Sequence, residues 1–255
     1  MINTIYIEDE ISDHPRTKKL IKRFPSATII SCTRYTEIFN RKSQNFRLQK
    51  KNPALILAKK HKGMVLPTPK HYGIGAKYNY YFSHMLNCIY DCRYCFLQGM
   101  FRSAHYILFV NYEDFIDEIN STLNKHASDN VHFFSGYDCD SLALDSVSNF
   151  ISDFLPFFEN HQNTLIELRT KSTQIKSLLQ RSSISNCIVA FSFTPNEIAK
   201  ALEHKTPSVS KRLEAIIELQ KAGWKIGLRF DPLIYTKTFT KEYNELFDNI
   251  FSKID

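Results

Sequence analysis

From residue 79 onward, short apolar runs alternate with amphipathic helical stretches, and this alternation constrains the fold more than any other feature of the chain. Runs over 79–86, 131–136, 164–170, 187–194 and 225–231 read as strands. Stretches over 113–125, 144–159, 173–180, 208–221 and 241–252 read as helices. In the second of these, Leu144, Val147, Ile151, Phe154 and Leu155 fall on one helical face, and Gly223 stops the helix over 208–221. Strands alternating with helices give βαβ units, hence a parallel sheet, open or rolled into a barrel. In such sheets chemistry gathers at the carboxyl ends of the strands. The pattern holds five strands plus a short apolar run over 106–110, and it ends on a helix. Upstream, strands over 4–7, 27–31 and 54–59 and a helix over 16–24 predict a small α/β lead-in. The expectation is therefore an α/β protein with an N-terminal α/β segment over 1–75 and a parallel sheet or barrel over 76–255. A parallel sheet can stop on a helix, and a barrel lacking its last strand reads the same way.

Charge is distributed unevenly. Lys and Arg (33) exceed Asp and Glu (26) across the 255 residues. Between Ile38 and Tyr90 there is no acidic residue, yet the stretch holds Arg41, Lys42, Arg47, Lys50, Lys51, Lys59, Lys60, Lys62, Lys70 and Lys77. His61, His71, Tyr72, Tyr78, Tyr80 and Tyr81 are interleaved with them. Basic side chains neutralise phosphates and aromatic faces stack on unpaired bases, so the stretch suits a nucleic acid, although a solvated basic surface reads the same way. No apolar run is long enough to span a membrane and no signal peptide is evident, which predicts a cytoplasmic protein with reduced thiols. There is no P-loop, G-x-S-x-G or HExxH, so nucleotide-loop, serine-hydrolase and zinc-hydrolase readings fall away.

Three of the six cysteines form Cys88-Ile-Tyr-Asp-Cys92-Arg-Tyr-Cys95, just after a predicted strand. Close cysteines in a cytosolic chain usually bind metal. A structural zinc site needs four closed ligands, and no second C-x2-C pair is present. Three thiolates instead suit a [4Fe–4S] cluster with one iron left open to an outside ligand. A zinc-stabilised nucleic-acid-binding module remains the alternative at this point. Cys32 follows an apolar strand and Cys187 begins one, so both read as buried small hydrophobes.

The C-x3-C-x-aromatic-C pattern after the first barrel strand resembles the signature of the radical S-adenosylmethionine (SAM) enzymes. The resemblance implies a partial (β/α)6 TIM-like barrel, with SAM chelated by the open iron and cleaved to a 5′-deoxyadenosyl radical. A narrower likeness, spanning roughly residues 5–235, is to the spore photoproduct lyase-like family, whose members reverse a UV-induced thymine dimer in DNA. It rests on Cys92-Arg-Tyr-Cys95-Phe-Leu-Gln98 with the apolar run 106–111, and on Phe134-Ser-Gly-Tyr-Asp-Cys-Asp140. Further along it rests on Arg169-Thr-Lys171, Phe191-Ser192-Phe193, Glu203-His-Lys-Thr206 with Lys211-Arg212, and Phe230-Asp-Pro-Leu-Ile-Tyr235.

Carried over residue by residue, the likeness implies that Cys88, Cys92 and Cys95 ligate the cluster and that Tyr94 sits by the SAM adenine. Ser135, Gly136, Asp138 and Cys139 would approach the methionine end. Lys171 would pair with the SAM carboxylate, Ser192 with the ribose, and the backbone at Asp231 with the adenine. Asp138 and Asp140 also read as caps of the following helix. Two positions depart from the family. Tyr137 stands where the lyases place a hydrogen-donating cysteine, with Cys139 two residues on, and Phe96 stands where they have a tyrosine. Tyr137 and Cys139 are thus the candidate hydrogen donors. The family's DNA-contacting hairpin lies beyond the matched region. The partners implied are DNA and an electron donor such as flavodoxin or ferredoxin, with the chain acting as a monomer. A radical SAM enzyme for a peptide or small molecule is the competing function.

Overall fold

The computed structural model describes residues 2–70 and 72–254. His71, one of the residues interleaved with the basic stretch, lies outside them. In chain order the strands are β1 (Thr4–Glu8), β2 (Thr28–Cys32), β3 (Leu55–Ala58), β4 (Leu66–Pro67), β5 (Tyr78–Phe82), β6 (Met85–Leu86) and β7 (Asp91–Cys92). They continue with β8 (Tyr106–Phe109), β9 (Val131–Ser135), β10 (Thr164–Thr170), β11 (Cys187–Ser192), β12 (Glu203–His204) and β13 (Lys225–Arg229).

Five of these form the parallel sheet the alternation predicts, in the order β13-β11-β10-β9-β5, with the short antiparallel β4 covering the β5 edge. A second sheet, β2-β1-β3-β8-β6, is parallel except for β6. The run expected as one strand over 79–86 breaks at Ser83-His84: its first half pairs with β9 and its second half with β8. One short stretch therefore joins the two sheets. Strand β8, from beyond residue 75, completes the N-terminal sheet by pairing with β3.

Helices bury one face of each sheet because their apolar residues recur at helical spacing. In Tyr112–Lys125 the buried positions are Tyr112, Phe115, Ile119 and Thr122. Phe82, Phe115, Phe150, Phe154 and Phe158 pack into one continuous core shared by both sheets. Each such ring contributes roughly 1.5–3 kcal/mol on burial.

The helix expected over 144–159 is in fact three short ones, Asp145–Ser148, Phe150–Phe154 and Pro156–Glu159. Asn149 takes a left-handed conformation (φ 56°) that asparagine tolerates, and Pro156 begins the last piece because it cannot donate within a helix. The carboxylate of Asp145 accepts from the Ile151 amide (2.8 Å), which holds the break closed. The helix over 209–221 has Ser208 at its N-cap, accepting from the Lys211 amide, and Gly223 beyond its end at φ 83°. Among the described residues no helix is long and apolar enough to cross a membrane.

Candidate cluster and cofactor site

The basic stretch is partly consumed by the fold. Lys50, Lys59 and Lys77 pair with Asp91, Glu10 and Asp129. Tyr78 stacks on His126 (3.7 Å between ring centroids), and the Tyr80 hydroxyl meets the same imidazole at 2.8 Å. The tyrosines read as base-stacking candidates are thus occupied at two positions. Arg41, Lys42, Arg47, Lys51, Lys62 and Lys70 remain exposed.

At the carboxyl ends of the parallel strands lies a cavity of about 340 Å³. The loop after β6 carries Cys88, Cys92 and Cys95 into it. Asn87, in a left-handed conformation (φ 66°), starts that loop, and its side-chain amide donates to the carbonyls of Ser103 (2.7 Å) and His105 (2.8 Å). Midway, β7 pairs antiparallel with β12, so Cys92 is opposite Glu203. At its end, the Cys95 amide donates to the Cys92 carbonyl (3.0 Å). Lys50, from the N-terminal segment, clamps the loop by reaching both Asp91 (2.6 Å) and the Gln98 amide oxygen (2.7 Å).

All six cysteines are free thiols, and Cys32 and Cys187 are buried as expected. Burial pushes all three loop thiols up, Cys92 to about 12, with Lys171 pulling back on Cys92 and Cys95. They are therefore protonated until a metal displaces the protons. Among the described residues no three His, Cys, Asp or Glu side chains close on a single ion. A zinc ion with sulfurs at about 2.3 Å demands such closure. Three thiols from one loop that line one shared cavity fit a [4Fe–4S] cluster with one iron left open.

The other walls come from four strand ends. After β9, Gly136 lines the cavity at φ 78°, where a Cβ would lie 2.5 Å from Ser141 Oγ, so only glycine lets the backbone follow this path. Tyr137 stacks on Tyr81 (4.2 Å) and lies edge-on to Tyr72 (5.9 Å). Cys139 also lines the cavity, and burial, with Asp138 and Asp140 nearby, pushes its thiol well up.

Ser135 and Asp138 do not line it. The Ser135 hydroxyl accepts from Ser141 (3.2 Å), and the Asp138 amide donates to Ser83 Oγ (3.2 Å). Both shape the loop from behind. Asp140 is a hub: its carboxylate accepts from the amides of Leu142, Ala143 and Lys171 and from the Thr170 hydroxyl (2.6 Å). Neither residue caps the following helix, whose N-cap is Leu144 without a side-chain cap: Asp140 instead ties the turn at Leu142 and Ala143 ahead of it, and the Asp138 side chain faces Ser83 and Lys60. Lys171, Ser192 and Asp231 line the cavity from the ends of β10, β11 and β13.

Glu203 is the residue that single-motif reasoning leaves without a role. It is buried, and it accepts from the Tyr94 hydroxyl, from Thr194 Oγ1 (3.1 Å) and from Arg212. Lys171 Nζ lies 3.8 Å away. Arg212 is itself buried and donates to the carbonyls of Ser192 (3.0 Å) and Pro207 (2.9 Å). One ion pair therefore ties the cysteine loop, Tyr94, Lys171 and Ser192 together. Burial alone would raise the Glu203 pKa, but Arg212, Lys171 and Tyr94 outweigh it and hold the carboxyl below its ordinary range. The sequence signal was present: Arg212 occupies the core-facing stripe between Val209, Leu213 and Ile216.

Comparison with known proteins settles the lineage. A family model described as spore photoproduct lyase matches residues 1–255. The chain belongs to the spore photoproduct lyase family. The spore photoproduct lyase of Bacillus subtilis (strain 168) is 22% identical over 251 residues, covering 96% of this chain and 72% of the relative. That of Clostridium acetobutylicum is 20% identical over 259 residues, covering 100% of this chain and 75% of the relative. A substituted spore photoproduct lyase solved with bound AdoMet and dinucleoside spore photoproduct matches with a TM-score of 0.89 at 19% identity, over 99% of this chain and 74% of that one. A second, complexed with dinucleoside spore photoproduct, matches with a TM-score of 0.86 at 19% identity over the same shares. The α/β fold with its TIM-like partial barrel is the fold of this family.

Proposed function

We propose that this chain is a radical SAM lyase that repairs a UV-induced thymine dimer of the spore photoproduct type in DNA. The carrying observation is the convergence, in one cavity, of three thiols from a single loop with Gly136, Lys171 and Ser192 from three strand ends. Cys88, Cys92 and Cys95 would hold a [4Fe–4S] cluster. Cluster and SAM together would supply a 5′-deoxyadenosyl radical, with the electron coming from a flavodoxin- or ferredoxin-type donor.

The chain's own residues bind and orient. Lys171 neutralises the SAM carboxylate, and its charge stays where Glu203 and the Tyr94 ring place it. The Gly136 backbone makes room at the methionine end. Ser192, whose carbonyl is fixed by Arg212, meets the ribose, and the backbone at Asp231 borders the adenine. Ser135 and Asp138 hold the 135–140 loop in shape.

Of the two X–H groups on that loop, Cys139 lies on the Cys88 side, while Tyr137 lies in the aromatic wall with Tyr72, Tyr81 and Phe96. Both line the cavity, and on this reading Tyr137, set among rings that suit a pyrimidine, is the hydrogen-atom donor. The protein works as a monomer in the cytoplasm, where its thiols stay reduced. The test is anaerobic reconstitution followed by incubation with SAM, reductant and the thymine dimer. The reading expects release of 5′-deoxyadenosine and restoration of two thymines. SAM cleavage without dimer reversal would move the substrate to a peptide or small molecule, and absence of SAM cleavage would end the radical reading.

A further inference from the structure

Below the open side of the cavity lies a charged group that the SAM assignments leave unused. Glu167, on β10, is almost wholly buried (1% side-chain exposure), yet two guanidiniums share it. Arg169 Nη2 lies 3.3 Å from Glu167 Oε1, and Arg229 Nε lies 3.1 Å from the same oxygen, with a second Arg229 contact to Oε2. Both guanidiniums remain about a fifth exposed (21% and 23%) and both line the cavity. The carboxylate is beneath and the donors are above.

The register explains the opening. Ala190 is the cross-strand neighbour of Arg169, and Gly227 stands opposite Ala190 one strand further on, so no large side chain on this row fills the space beside the fork. At Gly227 a Cβ would already lie 3.1 Å from that of Ala190. On the other side the fork is fixed by the Tyr72 hydroxyl, which accepts from Arg169 Nη1, and by the Phe134 ring under both guanidiniums (5.8 and 5.7 Å). Arginines pinned this way lose little freedom when their remaining N–H groups engage a ligand.

Charge decides what kind of acceptor they meet. Arg169 and Arg229 are matched by Glu167 beneath and by Asp231, which lines the same cavity; burial and the neighbouring Arg229 pull the Arg169 guanidinium down to about 10, and Asp231 opposes that shift. Two positive and two negative groups leave no excess charge for an anion. Oriented donors without net charge suit neutral oxygen acceptors, and thymine carbonyls are such acceptors. The aromatic wall of Tyr72 and Tyr137 adjoins the fork and offers faces for a pyrimidine ring.

We infer that Arg169 and Arg229, held by Glu167, form the subsite that recognises the pyrimidine carbonyl oxygens of the lesion. This rests on the thymine-dimer reading above. The bridging phosphodiester is the other oxygen source a guanidinium pair could grip, and the test separates the two.

The probes are the dinucleoside lesion, which lacks that phosphate, and the corresponding dinucleotide, which has it. Binding of each to the SAM-loaded, cluster-containing protein is measured by titration for wild type, Arg229→Met and Arg229→Lys. Lysine keeps a positive charge beside Glu167 but loses the fork, and iron content per chain confirms that each variant has folded. The inference expects both substitutions to weaken both probes alike, by about 10- to 100-fold, the range for losing hydrogen bonds from a charged donor. Weakening confined to the dinucleotide would assign the fork to phosphate and overturn the inference. Unchanged binding of both probes would overturn it too. Failure of wild type to bind either probe would instead count against the substrate reading, with the arginine comparison then refuted for want of a ligand.

Discussion

Replacing Arg212 with methionine isolates the interaction that ties the site together. Arg212 and Glu203 are both buried, with no side-chain exposure on either. Removing one partner of such a pair leaves the other as an uncompensated buried charge, at a cost of about 3–5 kcal/mol. Lys171 at 3.8 Å and the Tyr94 hydroxyl remain, so the cost falls toward the lower end, about 3 kcal/mol. The pH dependence follows from the direction of the Glu203 shift. In the native chain its carboxyl is held low, so its contribution is present above the unfolded value of about 4.3 and fades as pH falls through the folded value. Without Arg212, burial dominates and raises the folded value. The ionised carboxylate then becomes a penalty that grows as pH rises past the unfolded value. Urea unfolding of wild type and variant, under reducing conditions, is expected to show the widest gap near pH 7 and a narrower one near pH 4. The Arg212→Met/Glu203→Gln double variant, which carries no buried charge there, should recover more than half of the loss at pH 7. A cost below about 1 kcal/mol, or no recovery in the double variant, would refute the pairing as the organising contact.

Three further outcomes follow from the geometry. Gly136→Ala places a methyl against Ser141 in a left-handed backbone, and thermal unfolding should show a loss of about 1–3 kcal/mol together with weaker SAM binding; an unchanged melting temperature would contradict the close approach. Lys171→Met should weaken SAM binding by about 10- to 100-fold in calorimetric titration, the equivalent of one charge-assisted contact. If Tyr137 supplies the hydrogen atom, turnover in D2O should place deuterium in the repaired thymine. Tyr137→Phe should then abolish repair where Cys139→Ala does not, and the reverse pattern would move the donor to Cys139.

Much of the scaffold was legible because its signals are periodic. The five parallel strands and the long helices over 112–125 and 209–221 repeat apolar residues at sheet or helix spacing, and they fall within a few residues of their expected positions. The cysteine triplet was legible because its spacing is local. The pieces that escaped carry no repeat: the two-residue strands β7 and β12, the one-turn helix at Leu97–Met100, and the division of 144–159 at Asn149. The same limit hid the Glu203–Arg212 and Glu167–Arg229 pairs, which join residues 9 and 62 positions apart. A charged residue on an apolar stripe signals that a partner exists, but only the folded chain says which one. Aromatic residues misled in the opposite direction. Tyr78 and Tyr80 looked available for bases and are spent on His126.

The central claim is that three thiols hold an iron–sulfur cube and leave one iron open to SAM. Its most direct test is electron paramagnetic resonance of the anaerobically reconstituted, reduced protein with and without SAM, alongside iron and sulfide analysis. The account predicts about four irons and four sulfides per chain, with a cluster signal that changes when SAM is added. A protein holding zinc, or a cluster signal indifferent to SAM, would contradict it.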